Sequence, residues 1–385
     1  MTEAYDIATG GAFPEKAWVL TEIERMLDGE TNLTMGDHCD AFEREFAAYV
    51  GREHGIVTNS CTSALETVFR TLDVRGEDVI VPVQTFAANA TSVLSTGGEL
   101  RFADIEPHDH NVSVESVRER ISDDTAAVVV VHFAGNVCNR TAELRDLCEE
   151  HDAVLIEDCS HAHGARIDGK PAGSIGHVAC FSFYATKVMT AGEGGMILTD
   201  DREFAREAAA IRNRGLDPAT DDSRFEFVGS NYRLSEMAAV LGRSQLPHVD
   251  EFVAHRNDLA DVYDDVLSDL ADRERVRPVS PPANVRSSYW RYPLALENGR
   301  NRPRIRDRLR EDGIPIDWAY DPPLHRQPFV TDRYDTDGVA PNAESAMGRH
   351  ICLPIHRDLS VEDAKYIGER VDAAIREMET ATANR

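Results

Sequence analysis

Lysine is scarce in this chain of 385 residues. Of its 41 basic side chains only Lys16, Lys170, Lys187 and Lys365 are lysines, and 68 acidic side chains give a formal net charge of −27. Proteins that coat nucleic acid or anionic membranes need a basic face, so this charge balance excludes both classes. An acidic, lysine-poor surface suits a cytosol of very high salt, where repulsion between carboxylates is screened. It predicts an extreme halophile as the source.

The motifs of disulfide, zinc and membrane proteins are missing as well. The seven cysteines are scattered and odd in number, with no CxxC pair, which predicts a reduced protein without disulfides or a metal site. No apolar run approaches the roughly 18 residues that a membrane span needs. The N-terminal MTEAYDIATG is acidic and has no signal-peptide core. We therefore expect a soluble, cytoplasmic protein with no nucleic-acid or membrane partner.

The order of apolar segments predicts the fold. At about 150 residues per domain the length predicts two or three domains. Between roughly residues 50 and 250, continuous apolar runs alternate with helical patterns, which indicates a mostly parallel sheet covered on both faces. The strand-like runs are 79–83, 100–105, 126–132, 153–157 and 178–183.

Helix signals and a change of composition predict the domain boundaries. A helix is predicted over 37–50, with Asp37 as its N-cap and Gly51 as its stop. After about residue 250 arginine becomes dense and prolines interrupt 277–282, before a strand-like 289–296 and helical 302–312 and 361–377. We therefore predict a large α/β domain over residues 1–250 and a smaller C-terminal α+β domain over residues 251–385.

Glycine-rich phosphate motifs are also absent. Neither GxGxxG nor GxxxxGK[ST] follows an early strand, which argues against dinucleotide and P-loop sites. Ligands of open parallel sheets bind beyond the carboxyl ends of the strands, and three segments carry chemistry there. They are the hydroxyl-rich helix start NSCTSAL at 59–65, the strand end IEDCSH at 156–161 with Asp158, and FSFYATK at 181–187 with Lys187.

Each segment has a structural alternative when taken alone. Ser60 or Thr62 is as well explained by capping the helix, although a helix N-terminus also attracts phosphate. Asp158 is costly to bury without a partner, yet could cap a turn. A desolvated lysine attacks carbonyls as arginine cannot, so a lysine kept at a strand end of this arginine-rich chain indicates chemistry.

One cofactor explains the three segments together. Pyridoxal phosphate needs a phosphate anchor, a carboxylate beside its pyridine nitrogen and a lysine that holds it covalently. An aromatic ring such as that of Phe86 could stack on the cofactor or pack in the core. The sequence therefore predicts a pyridoxal-phosphate site.

The chain closely resembles the DegT-type (DegT/DnrJ/StrS) sugar aminotransferases of the fold-type I pyridoxal-phosphate enzymes. The matching segments occur in the family's order from near residue 30 to near 365. They are GDHCDAFEREFAAYVG, NSCTSAL, VPVQTFAANA, VVVHFAGN, IEDCSHAHGA, FSFYATKVMTAGEGG, GSNYRLSEMAAVLG, DPPLH and LPIHRDLS. The resemblance implies a large domain with a mostly parallel seven-stranded sheet.

The resemblance also implies roles for individual residues. Lys187 matches the lysine that binds the cofactor covalently and moves the proton, and Asp158 matches the partner of the pyridinium nitrogen. Phosphate-binding positions are matched by Thr62, Ser63 and Ser182, and the stacking aromatic by Phe86. Asn231 and Arg233 match a loop that reaches the cofactor phosphate of a neighbouring subunit, which implies a homodimer with shared active sites.

The implied reaction moves an amino group from glutamate or glutamine to a keto-sugar nucleotide. Tyr320, His325 and His356 are candidates for the substrate pocket, and each is equally open to a structural role. Two residues depart from the family pattern. Cys61 stands where glycine is common, and His161 stands beside the cofactor where glutamine is frequent, so that it could hydrogen-bond the cofactor hydroxyl or tune its ring.

Three other functions remain open from the sequence. A related sugar dehydratase uses the same cofactor but has histidine at the lysine position, and Lys187 argues against it. The segment EDCSHAH at 157–163 is similar to that of keto-cyclitol aminotransferases. A non-catalytic regulator of the same fold would not need Lys187 and Asp158.

Overall fold

A computed structural model describes residues 13–220 and 224–383 of the chain. Within these residues the helices are α1 (Lys16–Leu27), α2 (Asp37–Val50), α3 (Cys61–Thr71), α4 (Ala88–Thr96), α5 (Val114–Arg118), α6 (Thr141–Glu150), α7 (Arg202–Arg212), α8 (Glu236–Gln245), α9 (Val249–Asp272), α10 (Arg302–Glu311), α11 (Pro328–Thr331), α12 (Pro341–Met347) and α13 (Val361–Ala383). The strands are β1 (His54–Thr58), β2 (Asp78–Pro82), β3 (Glu99–Ala103), β4 (Thr125–Val131), β5 (Val154–Asp158), β6 (Arg166–Ile167), β7 (Lys170–Pro171), β8 (Val178–Ser182), β9 (Gly195–Thr199), β10 (Val276–Pro278), β11 (Val285–Arg286), β12 (Tyr292–Leu296) and β13 (His350–Leu353).

The central sheet has seven strands in the order β1-β9-β8-β5-β4-β2-β3. Its β2, β3, β4, β5 and β8 pair in parallel, while β9 runs antiparallel to both β1 and β8. Strands β4 and β8 are buried almost throughout, as continuous apolar runs require when helices cover both faces. The predicted α/β fold with a mostly parallel seven-stranded sheet is therefore confirmed.

The N-terminus of α2 differs from the prediction in its cap. Gly36, not Asp37, is the N-cap residue, and the N-cap position supplies no side-chain hydrogen bond to the helix. The carboxylate of Glu236 accepts hydrogen bonds from the backbone N–H groups of Gly36, His38 and Cys39 at 2.9, 2.8 and 3.1 Å. Burial opposes the charge on Glu236, yet these hydrogen bonds hold its pKa below the usual value. The prediction of Asp37 as N-cap was wrong because the cap comes from a residue distant in sequence.

The C-terminal part of the chain forms a second, smaller core. A three-stranded sheet in the order β10-β12-β13 packs with α9, α10 and α13. Helix α9 belongs to both cores, because Val249, Phe252 and Val253 pack with the large core and Leu259 to Leu270 with the small one. Residues between 324 and 347 also return to the large core. The boundary at residue 250 thus falls within the first turn of a continuous helix, and the division at that residue stays a prediction.

No helix within residues 13–220 and 224–383 combines the length and the apolar character needed to cross a membrane.

Candidate active site

A cavity of about 420 Å³ opens at the carboxyl ends of β5 and β8. Its volume is within the range of small-molecule sites. The large core supplies its floor, and the segment after β11 together with residues near 320 supplies one wall. The lining residues are Ser60, Cys61, Thr62, Leu65, Thr85, Phe86, Ala88, Val131, Asp158, Ser160, His161, Ser182, Tyr184, Thr186, Lys187, Glu193, Gly194, Trp290, Asp317, Ala319 and Tyr320.

Lys187 follows β8 and points its ammonium into this cavity. The Nζ atom lies 4.4 Å from the centre of the Trp290 ring. Burial lowers the pKa of Lys187 to about 8, although the nearby carboxylate of Asp158 acts in the opposite direction. A lysine with this pKa is partly neutral near physiological pH, which makes it a nucleophile toward carbonyl groups.

Asp158 closes β5 and is 4% exposed. Its Oδ2 accepts a hydrogen bond of 2.6 Å from the side-chain amide of Asn89, and its Oδ1 accepts one of 3.0 Å from the backbone N–H of Ser160. The amide of Asn89 also donates to Thr85 Oγ1 at 2.7 Å. These bonds fix the carboxylate at the cavity wall, and within residues 13–220 and 224–383 no cationic side chain is hydrogen-bonded to it.

The first turn of α3 also lines the cavity. Ser60 is the N-cap, and its Oγ accepts from the backbone N–H of Ser63 at 3.1 Å. The first N–H groups of a helix have no intrahelical partner and attract anions. Gly195 allows this arrangement, because a Cβ there would lie 2.5 Å from the carbonyl oxygen of Ser60 and 2.7 Å from the nitrogen of Cys61.

Aromatic rings line the remaining wall. The imidazole of His161 stacks on Trp290 with ring centres 3.8 Å apart and an angle of 6° between planes. Its Nε2 lies 2.7 Å from the hydroxyl of Tyr320. Phe86 lies at the cavity with 60% of its surface exposed, 6.4 Å from the Tyr320 ring. A flat apolar ligand would cover this exposed ring.

These groups fit pyridoxal phosphate. The α3 N-terminus suits the phosphate, the carboxylate of Asp158 suits a protonated ring nitrogen, and Lys187 suits the aldehyde carbon. Two buried polar atoms of this region, His161 Nδ1 and Asn89 Oδ1, have no hydrogen-bond partner among the described residues. Such orphaned atoms are expected where a polar ligand completes a site.

Five of the residues predicted from the sequence are not among the cavity-lining residues. Ser63 turns its hydroxyl to Asn59 Oδ1 at 2.7 Å, and Arg233 donates to Asn213 Oδ1 at 2.9 Å. Asn231 is exposed on the same loop as Arg233. His325 is fully buried and bonds to Glu344 at 3.0 Å. His356 is buried as well, with Nδ1 accepting from the backbone N–H of residue 358.

His325 and His356 are therefore not among the residues that line the cavity, and their role in the substrate pocket stays a prediction. Both side chains pack inside the protein, because their loops fold back against the cores. Of the predicted residues, the structure brings together at the cavity Thr62, Phe86, Asp158, His161, Ser182, Lys187 and Tyr320.

Sequence reasoning missed Asn89 and Trp290. Asn89 lies three residues after Phe86, in the first turn of α4. A polar residue close to the predicted stacking ring was the available signal. Trp290 had no such signal, because it reaches the cavity from a segment more than 100 residues beyond Lys187.

A metal site is not needed to explain the buried acidic group next to Asp158. His132, Glu157 and Cys159 offer three ligand atoms within 4.8 Å of one another. The Glu157 carboxylate already accepts from His132 at 2.9 Å and from the backbone N–H groups of Gly173 and Ile175 at 2.9 and 2.8 Å. Its hydrogen-bonding capacity is thus used within the protein.

The sheet, the lysine after β8 and the aspartate at the end of β5 define a fold-type I pyridoxal-phosphate enzyme. Comparison with known proteins agrees. Residues 15–372 match the model of the DegT/DnrJ/EryC1/StrS aminotransferase family. The chain belongs to this family and is a pyridoxal-phosphate-dependent aminotransferase.

Individual relatives cover most of the chain. It is 32% identical over 359 residues to a dTDP-4-dehydro-2,3,6-trideoxy-D-glucose 4-aminotransferase of Saccharopolyspora spinosa. The aligned region covers 89% of this chain and 90% of the relative. It is 35% identical over 340 residues to a GDP-perosamine synthase of Caulobacter vibrioides, spanning 87% and 88%. The solved structure of Helicobacter pylori PseC, an aminotransferase involved in the biosynthesis of pseudoaminic acid, matches with a TM-score of 0.90 at 26% identity, and the match covers 97% of this chain and all of PseC.

Proposed function

We propose that this aminotransferase moves an amino group from glutamate or glutamine to the keto carbon of a nucleotide-linked sugar, in the biosynthesis of amino sugars for glycans or the cell surface. The observation that carries the proposal is the cavity that Lys187, Asp158 and the first turn of α3 line together. Relatives of this chain named for GDP- and dTDP-linked sugars support the choice of substrate class.

Lys187 is proposed as the catalytic lysine. When bound, pyridoxal phosphate supplies an electron sink for the charge left when a proton leaves the carbon that carries nitrogen. Lys187 holds the cofactor covalently between reactions, and its freed Nζ then takes that proton from one carbon and returns it to another. Its pKa of about 8 suits both directions of proton transfer near neutral pH.

Asp158 is proposed as the group that keeps the ring nitrogen protonated. The hydrogen bonds from Asn89 and from the Ser160 N–H hold its buried carboxylate in place. A fixed negative charge at low exposure acts strongly on a nearby proton.

The phosphate end is proposed to consist of the α3 N-terminus with Thr62 and Ser182, with Ser63 contributing through the helix turn. Phe86 stacks on the cofactor ring from the open side, and His161 lies on the wall beside it. Cys61 does not ionise in this role, because burial raises the pKa of its thiol to about 12, with Asp158 adding to the effect.

A homodimer with shared active sites is part of the proposal. Asn231 and Arg233 lie outside the cavity of their own chain, in agreement with a role in the phosphate site of a neighbouring subunit. The exposure of Phe86 and of Tyr184, 60% and 47%, leaves an open side that a second subunit would cover. Arg233→Ala is expected to weaken cofactor binding, and a variant that stays monomeric at full activity would contradict shared sites.

The compartment and the salt requirement are proposed from composition. A net charge of −27 at neutral pH destabilises a compact chain in dilute buffer, so we propose a cytoplasmic protein of a halophile whose activity falls without added salt. Full activity in dilute buffer would refute the halophilic origin. The large and small domains are proposed to divide near residue 250.

The decisive experiment combines cofactor trapping with a substrate panel. Borohydride reduction of the enzyme with pyridoxal phosphate is expected to fix the cofactor on the peptide that contains Lys187, as read by mass. Keto-sugar nucleotides and keto-cyclitols are then tested with glutamate and glutamine, and product mass identifies the acceptor. Lys187→Arg is the matched control, since it keeps the charge but cannot bond the cofactor. A protein that takes up no pyridoxal phosphate would contradict the proposal.

A further inference from the structure

Tyr320 and His161 form a hydrogen-bonded pair in the wall of the cavity. The Tyr320 hydroxyl lies 2.7 Å from His161 Nε2. The His161 side chain is buried, and its second nitrogen, Nδ1, is enclosed without a hydrogen-bond partner in the part of the chain that the structure describes. One ring nitrogen is therefore engaged by the protein, while the other is buried and has no hydrogen-bond partner among the described residues.

Trp290 fixes the plane of this imidazole. The two rings are parallel within 6° at 3.8 Å, and the indole N–H donates to the carbonyl oxygen of Thr186 at 3.0 Å, which holds the indole itself. A stack of this kind would accept the imidazole equally well after a half-turn about its side-chain bond. Only one of the two orientations places a nitrogen against Tyr320, so the hydroxyl selects the ring orientation.

The proton of His161 follows from counting donors and acceptors. If Nε2 carried the proton, it would donate to Tyr320, and the Tyr320 O–H would have no acceptor in the described structure while Nδ1 also lacked a partner. If Tyr320 donates to Nε2, one group alone is unsatisfied, the Nδ1–H. An unsatisfied buried donor is costly, so the second arrangement is the more stable, and its single orphan is a donor.

The surroundings keep both side chains neutral. Burial, with Lys187 and Arg291 adding to it, lowers the pKa of His161 well below its usual value. Burial and the charge of Asp158 raise the pKa of Tyr320 well above its usual value. The titratable and charged groups that face this pair are Lys187, Arg291, His163, His132, Asp158, Asp317 and Cys352.

We propose that Tyr320 is a positioning residue whose O–H donates to His161 Nε2, so that His161 carries its proton on Nδ1 and serves as a hydrogen-bond donor to an oxygen of the bound cofactor. This inference rests on the proposed function, because it takes pyridoxal phosphate as the ligand that satisfies the donor. It assigns Tyr320 a role that acts through His161 and not through direct contact with the reacting carbon.

The first test needs no cofactor. Nitrogen-15 NMR of the histidine rings in the full-length apoenzyme distinguishes the two neutral tautomers, and the His161 signals are those missing from His161→Gln. Wild type is expected to show Nδ1 protonated, and Tyr320→Phe to show a mixture or the opposite tautomer. Tyr184→Phe removes another tyrosine hydroxyl of the cavity, one without a His161 contact, and is expected to leave the tautomer unchanged. An Nε2-protonated ring in wild type would overturn the inference.

The second test reads the bound cofactor by visible absorption. A donor to the cofactor's ring oxygen stabilises negative charge there and makes the proton of the cofactor–lysine linkage easier to lose. Tyr320→Phe is therefore expected to raise the pKa of that absorption change by about one unit, while His161→Gln, which keeps a donor, shifts it less. An unshifted pKa in Tyr320→Phe would refute this role. Absence of any cofactor spectrum in wild type would instead refute the proposed function.

Discussion

Replacing Asp158 with asparagine is expected to make Lys187 a better nucleophile while destroying transamination. The structure places the two groups in one buried cavity, where burial lowers the pKa of Lys187 to about 8 and the Asp158 charge resists that shift. The Asp158 charge is the largest of the effects that raise the pKa of Lys187, and without it burial lowers that pKa further. The pKa of Lys187 in Asp158→Asn is therefore expected to fall below that of the wild type.

The magnitude follows from the fraction of neutral amine. With a pKa of about 8, roughly 9% of Lys187 is neutral at pH 7, against roughly 0.03% for a lysine at its ordinary value of 10.5. Burial thus supplies about a 300-fold gain in reactive amine. In Asp158→Asn the fraction rises further at the same pH, so covalent attachment of the cofactor is expected to become faster. Turnover is expected to be lost because the ring nitrogen has no anionic partner.

The assay is the rate of cofactor attachment to the apoenzyme, followed by absorbance between about pH 6 and pH 10. In wild type the rate is expected to rise with pH to a plateau, with its midpoint near 8, since the neutral form accumulates as the pH passes the pKa. Asp158→Asn is expected to shift the midpoint to lower pH, and Asn89→Ala serves as the control that keeps the charge. A wild-type midpoint near 10.5, or an upward shift in Asp158→Asn, would refute the reasoning.

Three further predictions concern the structural support of the site. Asn89→Ala removes the 2.6 Å donor to Asp158 and is expected to lower the free energy of unfolding of the apoenzyme by about 1.5–3 kcal/mol, measured by urea titration; an unchanged value would show that water replaces the amide. Glu236→Gln is expected to remove part of the acid sensitivity of the fold: the lowered pKa of Glu236 means that its contribution is full above the unfolded value near 4.5 and is lost as the pH falls through the folded value. Denaturation series at several pH values check this, and identical pH profiles would contradict it. Gly195→Ala is expected to cost about 1–3 kcal/mol and to weaken cofactor binding, because the new Cβ would meet the Ser60 carbonyl at 2.5 Å; a fully stable variant with normal affinity would contradict the close approach.

The buried strands could be predicted because their signal is local. Parallel strands covered on both faces are continuous apolar runs, and the predicted 178–183 corresponds to β8 at Val178–Ser182. Strand β1 was not predicted. It has five residues, of which His54 and Gly55 are partly exposed, and its antiparallel partner β9 lies more than 130 residues away. Pairing of this kind leaves little trace in the local pattern.

The candidate site was predictable to the extent that its residues lie at strand ends. Asp158 ends a buried strand and Lys187 follows another, so sequence position alone places them at one edge of the sheet. The cap of α2 by Glu236 and the stack of Trp290 on His161 join residues that are about 200 and 130 positions apart. Only tertiary packing within the large core brings such residues into contact, and no local rule predicts these contacts.

Helix α9 limits how the enzyme can open. Its first turns pack among the aromatic residues of the large core, and its later turns form part of the small core. At 24 residues it is a rod about 36 Å long, so a hinge rotation between the two cores would have to bend or unwind it. Admission of a bulky sugar nucleotide is therefore expected to depend on side-chain and loop adjustments around the cavity mouth.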